Sequence, residues 1–371
     1  MSGKEEMSEV FFTDFRTTYT ENLLQKLARL IKTAGFDKID FQDKYVAIKM
    51  HFGEPGNLSF LRPNYAKVVA DMVKERGGKP FLTDANTLYV GGRKNAIDHL
   101  DSAFANGFNP MVTGCPVIIA DGVKGTDDVE VPLPDGKYVK VAKIGRAVMD
   151  ADVIISLTHF KGHEQTGFGG ALKNLGMGCG SRAGKMEMHS AVNPYVDADA
   201  CIGCRACTRV CAHGAISFPA KKAVIDDTKC VGCGRCIGVC PKDAVNPEFN
   251  MAFNVVQAKI AEYTAAVVRG RPAFHISLIC DVSPNCDCHA ENDAPILPNI
   301  GMLASFDPVA LDQACIDLCL KTQRLDHNVL DDQPRTDDIF HDVHPTTDWR
   351  DAISEGERMK LGTSKYLLKM I

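Results

Sequence analysis

The 371-residue sequence lacks an apolar run of about 18 residues, and its first segment, MSGKEEMSEVFFTDF, has acidic residues in place of an apolar signal core. The first absence argues against a conventional membrane span, and the second against a secretory signal. Basic residues are not in excess either, since the net charge is -5 and the isoelectric point is near 6.1. Without a broad basic field, nucleic acid is not an expected partner.

Cysteine, by contrast, is abundant: there are 15 in the chain, and a single short stretch holds eight of them. This stretch repeats the spacing C-x2-C-x2-C-x3-C and ends on Pro241. The first copy consists of Cys201, Cys204, Cys207 and Cys211, and the second of Cys230, Cys233, Cys236 and Cys240. The repeated spacing is typical of the ligands of a bacterial ferredoxin with two [4Fe–4S] clusters.

The spacing has a physical reason, because three thiolates on one tight loop can reach three irons of one cubane. In ferredoxins with two clusters, the fourth cysteine of each run binds the other cluster. We therefore predict crossed ligand sets: Cys201, Cys204, Cys207 and Cys240 for the first cluster, and Cys230, Cys233, Cys236 and Cys211 for the second. Glycines between the ligands, such as Gly203 and Gly232, allow backbone N–H groups to approach the sulfurs.

Two other uses of cysteine compete with this interpretation. Structural zinc also uses C-x2-C pairs, although in widely separated pairs and not in two matching quartets. A disulfide framework belongs to secreted proteins, and nothing else in the sequence marks this chain as secreted. We therefore expect a reducing cytoplasm, and the oxygen sensitivity of such clusters indicates an anaerobic or well-protected setting.

Outside the cysteine stretch, apolar segments alternate between strand and helix patterns. We predict a helix over 16–34, a strand over 45–50, a helix over 63–76, a strand over 80–83, a helix ending near 104, a strand over 152–158, a helix over 251–269, and strands over 273–279 and 301–305. This rhythm predicts an α/β domain with a mostly parallel sheet flanked by helices. Residues 195–248 then form a small inserted α+β module like a two-cluster ferredoxin, between the two parts of the α/β domain, 1–194 and 249–371.

Polar residues gather where three predicted strands end. His51 and Glu54 follow one strand, Asp84 follows the next, and His163 follows a third. Ligands of parallel sheets bind at the carboxyl ends of the strands, so these residues favour a site over ordinary loop positions.

A glycine-rich segment follows His163. Gly167, Gly169 and Gly170 precede a predicted helix, whose N-terminus could bind an anion of a nucleotide-like cofactor. The segment has neither the Walker A nor the Rossmann pattern. Further along lie Lys173 and His189, two more polar candidates for the same site.

Cys286, Cys288 and His289 lie within four residues of one another after the strand predicted at 273–279. A buried thiol pair is the simpler interpretation, but the polar neighbours of these cysteines equally favour a third metal or thiolate site. Cys315 and Cys319, on a helix that Asp307 is predicted to cap, look like buried small apolar residues.

Four short motifs lie outside the cysteine stretch: K-M-H-F-G-E at 49–54, L-K-N-L-G at 172–176, C-D-C-H at 286–289 and S-F-D-P-V-A-L-D at 305–312. In these motifs the chain resembles the DUF362 family, which is often found with a ferredoxin module. The resemblance covers nearly the whole chain and supports the fold, but the family name implies no reaction.

A fainter similarity is to the lactate racemase type of protein, which holds a nickel-pincer nucleotide. His163, Gly169, Gly170, Lys173 and His189 follow the order of that pattern, and the resemblance would make Lys173 the tethering lysine and place both histidines near the metal. The iron–sulfur ligands depart from the pattern, since racemisation needs no electron supply.

These observations predict an iron–sulfur oxidoreductase. Its clusters would exchange single electrons with a redox protein such as a soluble ferredoxin, and an unknown small-molecule substrate would bind beside His51, Asp84, His163, Lys173 and His189. Two alternatives stay open: a non-catalytic electron carrier or assembly partner, and a metal- or nickel-cofactor-dependent isomerase or lyase whose clusters are structural.

Overall fold

An eight-stranded sheet forms the centre of the computed structural model, which describes residues 7–371. The strands of the chain are β1 (Ser8–Asp14), β2 (Tyr45–Lys49), β3 (Lys79–Asp84), β4 (Val117–Ile119), β5 (Asp128–Pro132), β6 (Val141–Gly145), β7 (Val153–His159), β8 (Lys161–His163), β9 (Gly167–Gly169), β10 (Tyr195–Val196), β11 (Ile216–Ser217), β12 (Val224–Ile225), β13 (Val245–Asn246), β14 (Ala273–Ile279), β15 (Gly301–Ser305) and β16 (Tyr366–Met370).

Helices cover this sheet on both faces. They are α1 (Leu23–Thr33), α2 (Pro63–Lys74), α3 (Ala96–Ala105), α4 (Pro110–Thr113), α5 (Arg146–Met149), α6 (Ala171–Cys179), α7 (Arg182–His189), α8 (Ala206–Val210), α9 (Arg235–Val239), α10 (Phe253–Val268), α11 (Pro308–Lys321), α12 (Ile339–Val343) and α13 (Arg350–Arg358). In the part of the chain that the structure describes, none of them has both the length and the apolar character needed to cross a bilayer.

The strand order in the central sheet is β16-β1-β15-β14-β7-β2-β3-β4. Only β15 runs antiparallel to its neighbours, and every other pair in this sheet is parallel. The predicted α/β fold with a mostly parallel sheet is confirmed.

The middle strands are apolar on both faces, as parallel strands between two helical layers must be. On β2 and β7, Ile48 and Ile155 belong to the apolar cluster that α1 and α2 cover. The alternate residues Ala47 and Ile154 belong to the cluster that contains Ile260 of α10. Because successive side chains of a strand point to opposite faces of the sheet, each of these strands contributes to two separate apolar cores.

The first helix is shorter than predicted. It starts at Leu23 instead of residue 16, because the side chain of Asn22 accepts hydrogen bonds from the N–H groups of Leu24 and Gln25 and so fixes the N-terminus. Strand β1, which lies between β15 and β16 in the sheet, was not predicted.

Helices α6 and α10 are in backbone contact. A Cβ atom on Gly176 would lie 2.1 Å from the carbonyl oxygen of Ile260, so a glycine is required there. Thr264 on α10 also donates a hydrogen bond of 2.9 Å to the carbonyl oxygen of Leu172 on α6. This close approach explains the glycine of the L-K-N-L-G motif.

Between α7 and α10 the chain forms a small unit, which we call the cysteine module. It consists of the paired strands β10 and β13, the paired strands β11 and β12, and the helices α8 and α9. Within residues 7–371, no strand of this module joins the central sheet. Its boundaries as an inserted domain, 195–248, stay a prediction.

Candidate functional site

A cavity of about 610 Å³ opens at the carboxyl ends of β2, β3 and β7. Lys49, Asp84 and His159, the last residues of these strands, line it. Its size is in the range of small-molecule sites, and its position is the one expected for a parallel sheet. All the residues predicted as catalytic line this cavity, namely His51, Asp84, His163, Lys173 and His189. Their proximity is therefore observed, while their roles stay predictions.

A buried ion pair connects two of the strand ends. Lys49 Nζ lies 3.0 Å from Asp84 Oδ1 and donates a hydrogen bond of 2.9 Å to Asn174 Oδ1. The amide nitrogen of Asn174 in turn donates to the carbonyl oxygen of Lys49 and to Thr158 Oγ1, both at 3.1 Å. Asn174 thus ties α6 to the ends of β2 and β7.

Several cations surround Asp84. Burial would raise the pKa of this carboxyl, but the charges of Lys49 and Arg93 counter burial and hold the pKa below its ordinary value. Arg93 Nη1 lies 3.8 Å from Asp84, and its Nε forms a 2.8 Å ion pair with Glu54. Burial lowers the pKa of His51, whose Nδ1 accepts a hydrogen bond from the Gly53 N–H group. Neutral imidazole is the form this contact requires.

A second polar group lies at the end of β7. His159 Nδ1 is 2.9 Å from Asp287 Oδ1, and His159 Nε2 is 2.7 Å from the carbonyl oxygen of Cys280. Both partners accept hydrogen bonds, so both ring nitrogens need a proton. Lys161 Nζ lies 3.4 Å from Asp287 Oδ2. These cations hold the pKa of Asp287 below its ordinary value, although burial would raise it.

Lys173 and Cys286 form a third pair, in which Lys173 Nζ lies 2.8 Å from Cys286 Sγ. A hydrogen bond from Cys288 and the charge of Lys173 hold the pKa of Cys286 well below its ordinary value. Burial would lower the pKa of Lys173, but the Cys286 thiolate raises it. The predicted catalytic lysine is therefore an ammonium group paired with a thiolate.

The predicted group of Cys286, Cys288 and His289 is only partly brought together as a ligand set. Cys288 and His289 converge with Glu164, with one ligand atom of each residue within 4.8 Å of those of the other two. Cys286 is not in this group, because its sulfur faces Lys173. Glu164 was missed although it directly follows the candidate His163, because it lies far in sequence from Cys288 and His289.

Two further titratable groups line the cavity near the cysteine module. His189 Nδ1 is buried without a hydrogen-bond partner, and burial together with the charge of His163 lowers the pKa of His189 to about 3. Burial also lowers the pKa of Lys185 to about 8, close to neutral pH. Lys185, Arg93 and Asn174 are site residues that the sequence interpretation did not select as candidates.

The glycine-rich segment differs from expectation. The N–H groups of Ala171 and Leu172 at the start of α6 donate to Asp312, at 2.7 and 2.9 Å. These amides are therefore not free for a ligand anion, because a carboxylate from α11 already caps the helix. Of Gly167, Gly169 and Gly170, only Gly170 lines the cavity, and a Cβ atom on it would meet Asp312 at 2.4 Å.

The cysteine module contains two small cavities, each lined by four cysteines. One is lined by Cys201, Cys204, Cys207 and Cys240, and the other by Cys211, Cys230, Cys233 and Cys236. The last cysteine of each run thus lies with three cysteines of the other run. Three sulfurs accept backbone hydrogen bonds: Cys201 from Ala223, Cys211 from Ala215 and Cys240 from Ala244, at 3.2–3.4 Å.

The module lies directly beside the larger cavity. Leu88 lines that cavity and belongs to the same buried apolar cluster as Cys201, Cys207, Cys236 and Cys240. Lys94 Nζ donates a hydrogen bond of 3.0 Å to the carbonyl oxygen of Cys240.

Comparison with known proteins gives one family match. The model described as "Domain of unknown function (DUF362)" matches residues 46–317. A thylakoid-associated protein of Synechocystis sp. is 29% identical over 125 residues, which cover 34% of this chain and 35% of that protein. The chain thus spans about a third of the length of this curated relative.

Two solved structures are similar at 12% sequence identity. The lactate racemase apoprotein of Thermoanaerobacterium thermosaccharolyticum gives a TM-score of 0.33 and covers 74% of this chain and 51% of that chain. A protein of Thermotoga maritima gives a TM-score of 0.40 and covers 83% of this chain and 59% of that chain.

The substitution Lys49→Met should lower the free energy of unfolding by about 3–5 kcal/mol, because it leaves Asp84 charged and buried without its main partner. Urea unfolding under anaerobic conditions measures this loss. Lys67→Met is the matched control: Lys67 forms a 2.7 Å pair with Asp71 on the exposed face of α2, and its loss should cost about 0.5 kcal/mol or less. Equal losses in both variants would contradict the importance of the buried pair.

A pH-dependent contribution to stability is expected from Asp312. Burial raises the pKa of this carboxyl to about 7 in the folded chain. Its contribution is therefore complete below the unfolded pKa of about 4 and decreases as the pH rises through about 7. As the pH is raised from about 5.5 to about 8.5, the free energy of unfolding of Asp312→Asn should therefore increase relative to that of the wild type. Asp332→Asn, at an exposed position, should show no such trend; the same trend in both variants would refute the assignment.

Proposed function

The chain belongs to the DUF362 family, whose name identifies no reaction, and we propose that it is an iron–sulfur protein. In this proposal, two [4Fe–4S] clusters in the cysteine module carry single electrons to or from a small molecule bound in the large cavity. The protein would then be an oxidoreductase served by a redox partner such as a soluble ferredoxin.

The interleaving of the two cysteine runs carries this proposal. Cys240 lies with the first three cysteines of the first run, and Cys211 with the first three of the second. This crossed arrangement is the ligand pattern of two-cluster ferredoxins. The first cluster would be held by Cys201, Cys204, Cys207 and Cys240, and the second by Cys230, Cys233, Cys236 and Cys211.

The residues around the sulfurs fit such clusters. Backbone N–H groups already point at Cys201, Cys211 and Cys240, and hydrogen bonds of this kind stabilise cluster sulfurs. Gly203 and Gly232, which take equivalent positions in the two runs, have φ angles of 67° and 66°. A side chain at Gly203 would also meet the carbonyl oxygen of Lys221 at 2.3 Å. Glycine is thus needed for the loop to fold closely around its ligands.

The spread of the sulfurs fits clusters better than zinc. Tetrahedral zinc with bonds of about 2.3 Å brings its sulfur ligands to about 3.8 Å from one another. Among the described residues, three ligand atoms come within 4.8 Å of one another only at Glu164, Cys288 and His289. This spacing of the eight module cysteines favours centres wider than a single ion.

Bound clusters would supply single electrons, at potentials that the protein environment tunes over roughly -700 to +450 mV. Leu88 lines the cavity and belongs to the same apolar cluster as four of the module cysteines, which would give electrons a short path. On the surface of the module, Ile202 and Val231, each next to the first cysteine of its run, are 61% and 57% exposed. These apolar side chains offer a docking point for a redox partner.

Reduction of a small molecule also requires protons. His189 is neutral near pH 7 because burial lowers its pKa to about 3, and its buried Nδ1, which has no hydrogen-bond partner, would contact the substrate. Lys185 can hold or release one near neutral pH, because burial lowers its pKa to about 8. Lys173, His163, His51 and Asp84 would orient the substrate between these groups.

A metal-dependent isomerase or lyase with structural clusters is the second candidate. The convergence of Glu164, Cys288 and His289 at the cavity favours it. The ion pair between Lys173 and Cys286 separates this candidate from the lactate racemase pattern, because the amine is engaged by a thiolate. Activity that survives oxidation of the clusters would favour the second candidate over electron transfer.

Protein purified without oxygen should contain about eight iron and eight sulfide per chain. Cys204→Ala and Cys233→Ala should each disturb one cluster, and so lower the iron content and alter the electron paramagnetic resonance spectrum of the reduced protein. Cys115→Ala is the matched control, since Cys115 is buried in the apolar core away from the module. A colourless protein with zinc in place of iron would overturn the proposal.

Electron delivery can be followed by the return of cluster absorbance. Protein reduced with dithionite, freed of excess reductant and mixed with a small-molecule cell extract should be re-oxidised faster than by buffer alone. His163→Ala and Lys173→Ala should lower the rate of re-oxidation at least about tenfold at unchanged iron content, which corresponds to a loss of about 1.4 kcal/mol of transition-state stabilisation. Lys67→Ala should leave this rate unchanged. Equal rates in all variants would indicate a non-catalytic electron carrier.

A further inference from the structure

We propose that Glu164, Cys288 and His289 form a mononuclear site for a borderline divalent cation, zinc or ferrous iron, at the wall of the large cavity. The site lies outside the cysteine module and does not depend on electron transfer through the clusters. All three residues line the cavity.

The distances match a coordination site. One ligand atom from each residue lies within 4.8 Å of the other two. His289 Nε2 is 3.2 Å from Glu164 Oε1, close to the edge of about 3.4 Å in a tetrahedron whose bonds to nitrogen and oxygen are about 2.1 Å long. A shift of the Cys288 side chain by roughly an ångström would complete the geometry.

The backbone holds these ligands in place before any metal binds. Glu164 lies in the turn between β8 and β9, and Gly162 on β8 donates a hydrogen bond of 2.9 Å to the carbonyl oxygen of Ser283. A Cβ atom on Gly162 would lie 2.1 Å from the carbonyl oxygen of Pro284, so only glycine permits this contact. Asn57 also donates a 2.9 Å hydrogen bond to the carbonyl oxygen of His289.

The surroundings resemble the outer shell of known metal sites. His289 Nδ1, the nitrogen that faces away from Glu164, lies 3.5 Å from Glu291 Oε1. A metal-binding histidine commonly gives its second N–H to a carboxylate, and a small rotation of the Glu291 side chain would form such a hydrogen bond. Glu164 Oε2 is shielded from solvent and has no hydrogen-bond partner. A bound cation would satisfy this oxygen.

The donor set defines the class of metal. A thiolate, a carboxylate and a neutral imidazole suit zinc or ferrous iron, whereas magnesium and calcium prefer oxygen ligands throughout. Cys286 is not part of this ligand group, since its sulfur faces Lys173 Nζ at 2.8 Å. Three protein ligands leave a position open towards the cavity, where water or a carbonyl or carboxylate oxygen of a substrate can bind.

Zinc binding to the anaerobically purified full chain tests this site. Titration against a competing chelator should show about one zinc ion per chain beyond the metal of the clusters. X-ray absorption at the zinc edge, which does not sense iron, should show one sulfur at about 2.3 Å and lighter ligands at about 2.0–2.2 Å.

Variants separate the ligands from their neighbours. Cys288→Ala and Glu164→Gln should each weaken zinc binding by at least about 100-fold, and Glu291→Gln by about 10–100-fold. Asp293→Asn, in the same loop, is the matched control and should leave the affinity unchanged. Cys286→Ser should keep the single sulfur in the zinc spectrum. If Cys288→Ala does not fold, the zinc affinity of Glu164→Gln still tests the proposed site.

Two or more sulfurs around zinc, or binding that survives both Cys288→Ala and Glu164→Gln, would overturn the proposal. Iron and sulfide are measured on every sample. A chain without clusters that still binds zinc through one sulfur would refute the electron-transfer proposal and leave this site intact. A chain with clusters but without zinc binding would refute this site and leave the electron-transfer proposal intact.

Discussion

The structure of the site depends on the buried pair between Lys49 and Asp84. Two charges removed from water are costly, and their mutual attraction offsets this cost only when further groups complete the contacts. Asn174 and Arg93 provide such contacts here. Because Lys49 ends β2 and Asp84 ends β3, the pair fixes the floor of the cavity to the sheet itself. The strand ends therefore hold the floor of the cavity in place, while neighbouring helices and loops supply the polar residues above it.

Much of the fold follows from local patterns. The strands around Ile48, Ile155 and Ile276, and the capping of α11 by Asp307, were predictable because apolar periodicity and caps act over a few residues. The collection of polar residues at strand ends was also predictable, because a parallel sheet brings the carboxyl ends of its strands to the same edge. The early start predicted for α1 was wrong, because the apolar pattern begins only at Leu23, directly after the Asn22 cap.

What was missed depends on contacts between distant segments. The sequence places Glu164 more than a hundred residues from Cys288 and His289, and only the packing of the β8–β9 turn on the later loop brings them together. Asp312 reaches the start of α6 across a separation of 141 residues. A glycine-rich segment before a helix has the same appearance whether its amides bind a ligand or a distant carboxylate, so the sequence pattern could not distinguish the two.

The backbone contact between α6 and α10 has a mechanical consequence. Helix α10 begins at Phe253, shortly after the cysteine module ends, while α6 carries Lys173 and Asn174 into the cavity. With no side chain between Gly176 and the Ile260 carbonyl, there is no compressible layer to absorb a displacement. The two helices are therefore in direct backbone contact, with the start of α10 close to the cysteine module in sequence and α6 holding a lysine and an asparagine at the cavity.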